Sequence, residues 1–290
     1  MDLRSLAVGA TLSEHRVSAT MPTDPVENKI HEDELARRMG FRGGLVPGVT
    51  VYAWMTHPVV AALGPAWLER GRFAARFAKP TYFGETATVC ATVAARTADA
   101  VTLDVRVLDE AGQVCATATM ALPFGPAPVP PEPSAYPAAP LPAERPPVSR
   151  ALLASRTVLG TPELILDEAT TRAFLERVKE TLPQYREPGG PVHPGLYLDQ
   201  ANRALSRNVR VSPWVHVESQ GRHLSVARVG ERLETRAKVQ SLYERKGHEF
   251  VELDLLVLAD GTRPVASIRH VAIYQLRGAS PRSATDRAGD

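Results

Sequence analysis

Apolar and polar positions alternate with two different periods along the chain, and the changes of period mark its elements. Thr102–Leu108 and Val251–Val257 place apolar residues at nearly every second position, the pattern of strands with one buried face. Thr86–Val93, Val101–Leu108 and Val114–Leu122 read as successive strands, as do Leu233–Tyr243, Phe250–Leu258 and Pro264–Leu276. Asp109–Gly112 and Ala259–Gly261 between them carry the residues of hairpin turns. Helical spacing appears elsewhere: Phe174, Leu175, Val178 and, just past its end, Leu182 recur along Glu168–Thr181, and Glu32–Met39 reads as a short polar helix. Val49, Tyr52, Met55, Val59, Val60 and Leu63 follow Pro47-Gly48 and spread over most of a helix surface. A helix apolar on most faces is expected to lie inside a curled sheet. Pro58 is expected to kink or divide it.

The elements recur in the same order. A strand candidate (Ala10–Thr20; Ser155–Leu166), a short helix, a Pro-Gly helix and a run of strands occur first before residue 122 and again after 150. Pro47-Gly48 answers Pro194-Gly195 at an offset of 147 residues, and Gly84-Glu85 answers Gly230-Glu231 at 146. Near-constant offsets argue for an internal duplication. Between the copies, Pro123–Ser149 holds 11 of the 25 prolines, too many for a strand ladder, and reads as a semi-rigid linker. The expected division is therefore 1–122, a linker at 123–149, a second block at 150–276 and a disordered tail at 277–290. The fold class is α+β, each block a curled antiparallel sheet around a central helix.

Composition narrows the function classes. Among 290 residues, 34 Lys+Arg face 32 Asp+Glu, which gives nucleic-acid binding no electrostatic support. No apolar run reaches the roughly 18 residues of a membrane span, and the first residues lack the apolar core of a signal peptide. Cys90 and Cys115 are too few for a disulfide framework or a zinc site. A soluble cytoplasmic protein without metal or cofactor is the expectation.

One set of residues carries chemistry. Asn28-Lys29-Ile30-His31 is followed by Gly40-Phe41, Gly44–Gly48, Phe77–Pro80 and Gly84-Glu85. This order resembles the MaoC-like, (R)-specific enoyl-CoA hydratase/dehydratase family in its double hot-dog form, whose motif reads D-x-N-P-[IL]-H before a helix that starts with His-Gly. The match covers both blocks as a pattern and about 60 residues of the first as a motif. Three positions depart from it: Val26 stands in place of the aspartate, Lys29 in place of the proline, and Pro47 in place of the histidine. The second block has Arg177 and Val178 where the His segment would recur.

The resemblance implies a lyase that adds or removes water at the 2,3 double bond of an acyl thioester of coenzyme A or acyl carrier protein. His31 is the candidate proton-transfer residue, since imidazole titrates near neutrality. Asn28 would orient it. The missing carboxylate has candidate replacements in Glu27, in Asp24, or in Asp199 on the second Pro-Gly helix, one residue before the usual position at Gln200. Gly48 opens a helix whose free amides suit a carbonyl oxygen; Pro47, Tyr52 and His193 complete the expected substrate-binding set. His216 and Glu218 alternate in one segment and are expected to share a solvated strand face. Two other readings stay open: a hot-dog thioesterase, for which Asp199 is the discriminating carboxylate, and a non-catalytic thioester-binding or partner subunit. Paired blocks form a pseudo-dimer within one chain, able to associate further into homo-oligomers.

Overall fold

A computed structural model describes residues 6–21 and 27–278. Ten strands form one antiparallel sheet: β1 (His15–Ser18), β2 (Arg72–Phe77), β3 (Thr86–Arg96), β4 (Ala100–Leu108), β5 (Val114–Pro123), β6 (Glu163–Ile165), β7 (Val215–His223), β8 (Arg232–Arg245), β9 (His248–Ala259) and β10 (Arg263–Gln275). Their order is β1-β3-β4-β5-β2-β7-β10-β9-β8-β6. Read from the middle outward, the two halves have the same arrangement. They join where β2 pairs with β7, from Arg72 opposite Arg222 to Arg76 opposite Glu218.

Each half wraps a helix. In the first, α1 (Asp33–Arg38) leads to the central α2 (Gly48–Leu63), and the short α3 (Pro65–Arg70) feeds β2. In the second, α4 (Arg150–Ser155) and α5 (Glu168–Val178) precede the central α6 (Gly195–Ser206). Tyr52, Met55 and Val59 of α2 have no solvent exposure. Each such side chain contributes about 1.5–3 kcal/mol by leaving water. Pro58 neither ends nor divides α2, which continues for five residues beyond it. The missing amide removes one bond to the fourth residue back, and the helix is enclosed between the sheet and α5 and α6.

The proline-rich segment is not a free spacer. Tyr136 lies on Leu256 and Leu258 of β9, and its hydroxyl donates to the Asp254 carboxylate at 2.9 Å. Pro147 bridges to Arg210, and the Ala139 amide donates to Thr161. The segment is a strap over the outer face of the second half. Of the expected tail, residues 279–290 lie outside the described residues. No helix among the described residues is long and apolar enough to cross a membrane.

Candidate active site

The His31 segment is built from backbone needs. Asn28 caps a single 3-10 turn, Lys29–His31, by accepting the Ile30 amide, and Ile30 is buried beneath it. The Asn28 side-chain amide also donates to the Trp214 carbonyl at 2.9 Å, and its oxygen accepts the Trp214 amide at 3.2 Å. Trp214 immediately precedes β7, so a residue of the first half is fastened to the second. Gly44 passes so close to this turn that a Cβ on it would lie 2.3 Å from the His31 carbonyl oxygen.

His31 has a defined tautomer. Its Nδ1 is 2.6 Å from the Leu45 carbonyl, which only accepts, so Nδ1 carries the proton. Nε2 is then the lone pair, 3.3 Å from the Asn28 amide nitrogen that donates to it. Burial pushes the His31 pKa below its ordinary 6.5, and the Leu45 contact offsets this only in part. The ring is neutral at pH 7, as a base must be.

His31 lines a mostly apolar cavity of about 250 Å³ together with Asn28, Pro47, Gly48, Phe77 and Trp214. Gly48 is the first residue of α2, where amides lack intrahelical partners. The second half supplies His216 to the same wall. A Cβ on Gly48 would stand 2.7 Å from His216 Nδ1, so only glycine lets the helix start approach this ring. Asn202 of α6 also reaches the cavity, and its buried Oδ1 has no partner among the described residues.

Among the described residues that line the cavity there is no carboxylate. Glu27 pairs with Arg145 outside it. Asp199 faces Arg177 at 3.4 Å and Arg203 at 3.2 Å, and does not line the cavity. Gln200, at the neighbouring position, is wholly buried and likewise absent from the lining. Asp24 and Val26 lie outside the described residues. Tyr52 is buried against Phe73, with ring centroids 4.8 Å apart, and has no contact with the cavity.

His193 belongs to a separate buried group at the start of α6. Its Nδ1 accepts the Gly195 amide at 3.0 Å, and Nε2 faces Glu180 at 3.4 Å. Glu180, which sequence reasoning missed, is 3% exposed and also receives His57 at 2.8 Å. Burial pulls the Glu180 pKa up, but hydrogen bonds from His193 and His57 outweigh it and hold the carboxyl well below its usual range. The place that corresponds to a second substrate site is filled instead: a Cβ on Gly195 would lie 2.8 Å from the Phe174 ring, and the Tyr185 ring packs on His193.

His216 and Glu218 do not share a face. The β7–β10 register jumps at Val217, with Glu218 opposite Val271 and His216 opposite Ala272. This bulge breaks the two-residue period. His216 turns inward and is 6% exposed, while Glu218 pairs with Arg269 at 2.9 Å. The alternation in the sequence contains no signal for the extra residue.

No protein-family model matches the chain, and no curated protein matches it in sequence. Solved structures do match in fold. A chain described as a MaoC domain protein dehydratase from Chloroflexus aurantiacus superposes with a TM-score of 0.69 at 13% identity, covering 95% of this chain and 97% of the other. A Mycobacterium tuberculosis protein with a double hot-dog fold gives 0.61 at 18% identity, over 93% and 97% of the two chains. The fold is a double hot-dog. A chain described as an oleoyl thioesterase from Lactobacillus plantarum shares it at a TM-score of 0.57 and 11% identity, over 93% and 98% of the two chains. The double hot-dog thus houses more than one reaction type, and only the residues at the cavity discriminate among them.

Proposed function

We propose that this double hot-dog protein is an enoyl-thioester hydratase/3-hydroxyacyl-thioester dehydratase with a single site in its first half. The observation that carries this reading is His31, a half-buried neutral imidazole with Nε2 unprotonated, on the wall of an apolar cavity beside the start of α2. In the hydration direction, His31 Nε2 takes a proton from water as the water oxygen bonds to C3. The electron pair of the double bond moves onto the thioester as an enolate, stabilised by the Gly48 amide and the helix dipole. The resulting imidazolium returns its proton to C2. One water is added and His31 ends as it began, so one residue serves as base and then as acid. Asn28, donating to Nε2, sets the ring before proton transfer, and the Leu45 carbonyl, accepting from Nδ1, holds it through both steps.

The cavity, at about 250 Å³, is slightly smaller than typical small-molecule pockets, which begin near ~300 Å³. It suits an acyl portion, with the coenzyme A or acyl-carrier part outside. A thioesterase reading needs a carboxylate to direct water at the carbonyl, and it draws little support from Asp199, which is held by two arginines.

The test is hydration of trans-2-enoyl-CoA substrates from crotonyl to dodecenoyl, for the wild type and His31→Ala side by side. Hydration that falls on the order of 10²–10⁴-fold with His31 is the expected result. Release of free coenzyme A without hydration would support the thioesterase, and binding with neither reaction would support a non-catalytic subunit.

A further inference from the structure

The wall beside the helix start carries a buried polar chain that the hydration scheme leaves unused. His216 Nε2 lies 2.8 Å from Ser219 Oγ, which lies 2.9 Å from His270 Nδ1. Ser219 and His270 have no solvent exposure. His216 Nδ1 has no partner among the described residues, and it lies against Gly48, the first residue of the 16-residue helix α2. An orphaned buried ring nitrogen costs about 1–3 kcal/mol, and this one is placed where a bound group would satisfy it.

A serine hydroxyl has one proton, so the chain has two consistent arrangements. If Ser219 donates to His216, then His270 Nδ1 donates to Ser219, and His216 Nδ1 carries a proton. If Ser219 donates to His270, then His216 donates to Ser219, and its Nδ1 is a bare lone pair. Burial keeps both rings uncharged near neutrality: it drives the His216 pKa well down and the His270 pKa to about 3. A carbonyl oxygen at the Gly48 amide would select the first arrangement, because it can only accept.

We propose that His216, contributed by the second half, donates from Nδ1 to the thioester carbonyl oxygen held at the start of α2, with Ser219 and His270 as positioning residues that hold the donor tautomer. This rests on the thioester reading above and completes it, since the oxyanion then has one donor from each half. It also assigns a role to the second half, whose own helix start is filled by Phe174 and Tyr185.

The experiment is infrared difference spectroscopy of [1-13C]crotonyl-CoA and [1-13C]trans-2-decenoyl-CoA bound to the slow His31→Ala protein, alone and combined with His216→Phe or Ser219→Ala. Hydration kinetics are measured on the two single variants with His31 intact. The carbonyl band is expected to move to lower frequency on binding, to lose most of that shift with His216→Phe and part of it with Ser219→Ala. The kcat is expected to fall roughly 10²–10³-fold for His216→Phe, with KM changed far less. Ser219→Ala keeps the ring and decides the matter should His216→Phe fail to fold. A band shift that is lost with His216→Phe, in a protein that with His31 intact hydrates neither acyl chain, supports the His216 assignment and removes the hydratase reading. Normal hydration with an unchanged band in the variants overturns the assignment and leaves that reading standing. Absence of binding by either thioester overturns both.

Discussion

Asn28 holds the backbone of Trp214 from 186 residues away in the chain, donating to its carbonyl at 2.9 Å and accepting its amide at 3.2 Å. The same side chain donates to His31 Nε2. One amide therefore joins the two halves and orients the candidate base. Asn28→Ala leaves the buried Trp214 amide and carbonyl without partners, at a cost of about 1–3 kcal/mol each. A lower urea midpoint and a slower hydration rate are expected together. An unchanged midpoint in equilibrium unfolding followed by tryptophan fluorescence would contradict the linkage.

The pH dependence of hydration follows from the His31 environment. Protonation of Nε2 removes the base, so the rate falls on the acid side. Burial lowers the pKa below 6.5, so kcat/KM for crotonyl-CoA is expected to stay level as pH drops from 8 through 6.5 and to decline only below that. An acid limb centred above 6.5 would mean that a carboxylate raises His31.

Stability should fall with acid for a separate reason. His223, donating from Nδ1 to the Trp67 carbonyl, has its pKa lowered by burial to about 4, and His270 is lowered to about 3. Between about pH 6.5 and 4 the unfolded chain takes up protons at both positions and the folded chain does not. The contribution of each is intact above 6.5 and is lost as pH falls, by about 1.4 kcal/mol per pH unit and per histidine. Glu180, with its pKa depressed in the fold, stabilises above its unfolded value of 4.5 and adds a further loss only below it. Urea midpoints measured at pH 7.5, 6.5 and 5.5 should be similar at the first two and clearly lower at the third.

The strap offers a test away from the chemistry. Tyr136→Phe removes the hydroxyl that donates to Asp254 but keeps the ring on Leu256 and Leu258. A loss of about 1–2 kcal/mol is expected, with faster proteolysis within residues 123–149 and little change in hydration. Equal proteolysis of the variant and the wild type would show that the hydroxyl does not secure the strap.

Local pattern in the sequence was enough for the fold. The alternation in Thr102–Leu108 and Val251–Val257, the turns after them and the two Pro-Gly helix starts all report residue-to-residue geometry, and they appear as β4, β9, α2 and α6. The repeated order of elements already implied a duplicated α+β block, and the resemblance carried by the His31 motif implied that it is a double hot-dog. His31, Asn28, Pro47 and Gly48 were legible as a group because a short motif records them, and all four meet at one cavity. Tertiary structure decided the rest. A single inserted residue at Val217 turned His216 from solvent to the cavity. Arg145, 118 residues away, holds Glu27 outside it, and Arg177 and Arg203 hold Asp199 away from it. Two histidines made a buried carboxylate of Glu180 tolerable. Each of these depends on which side chains the folded sheet brings within a few ångströms. Periodicity and spacing carry no record of which side chains, near or far in the chain, the fold will set against one another.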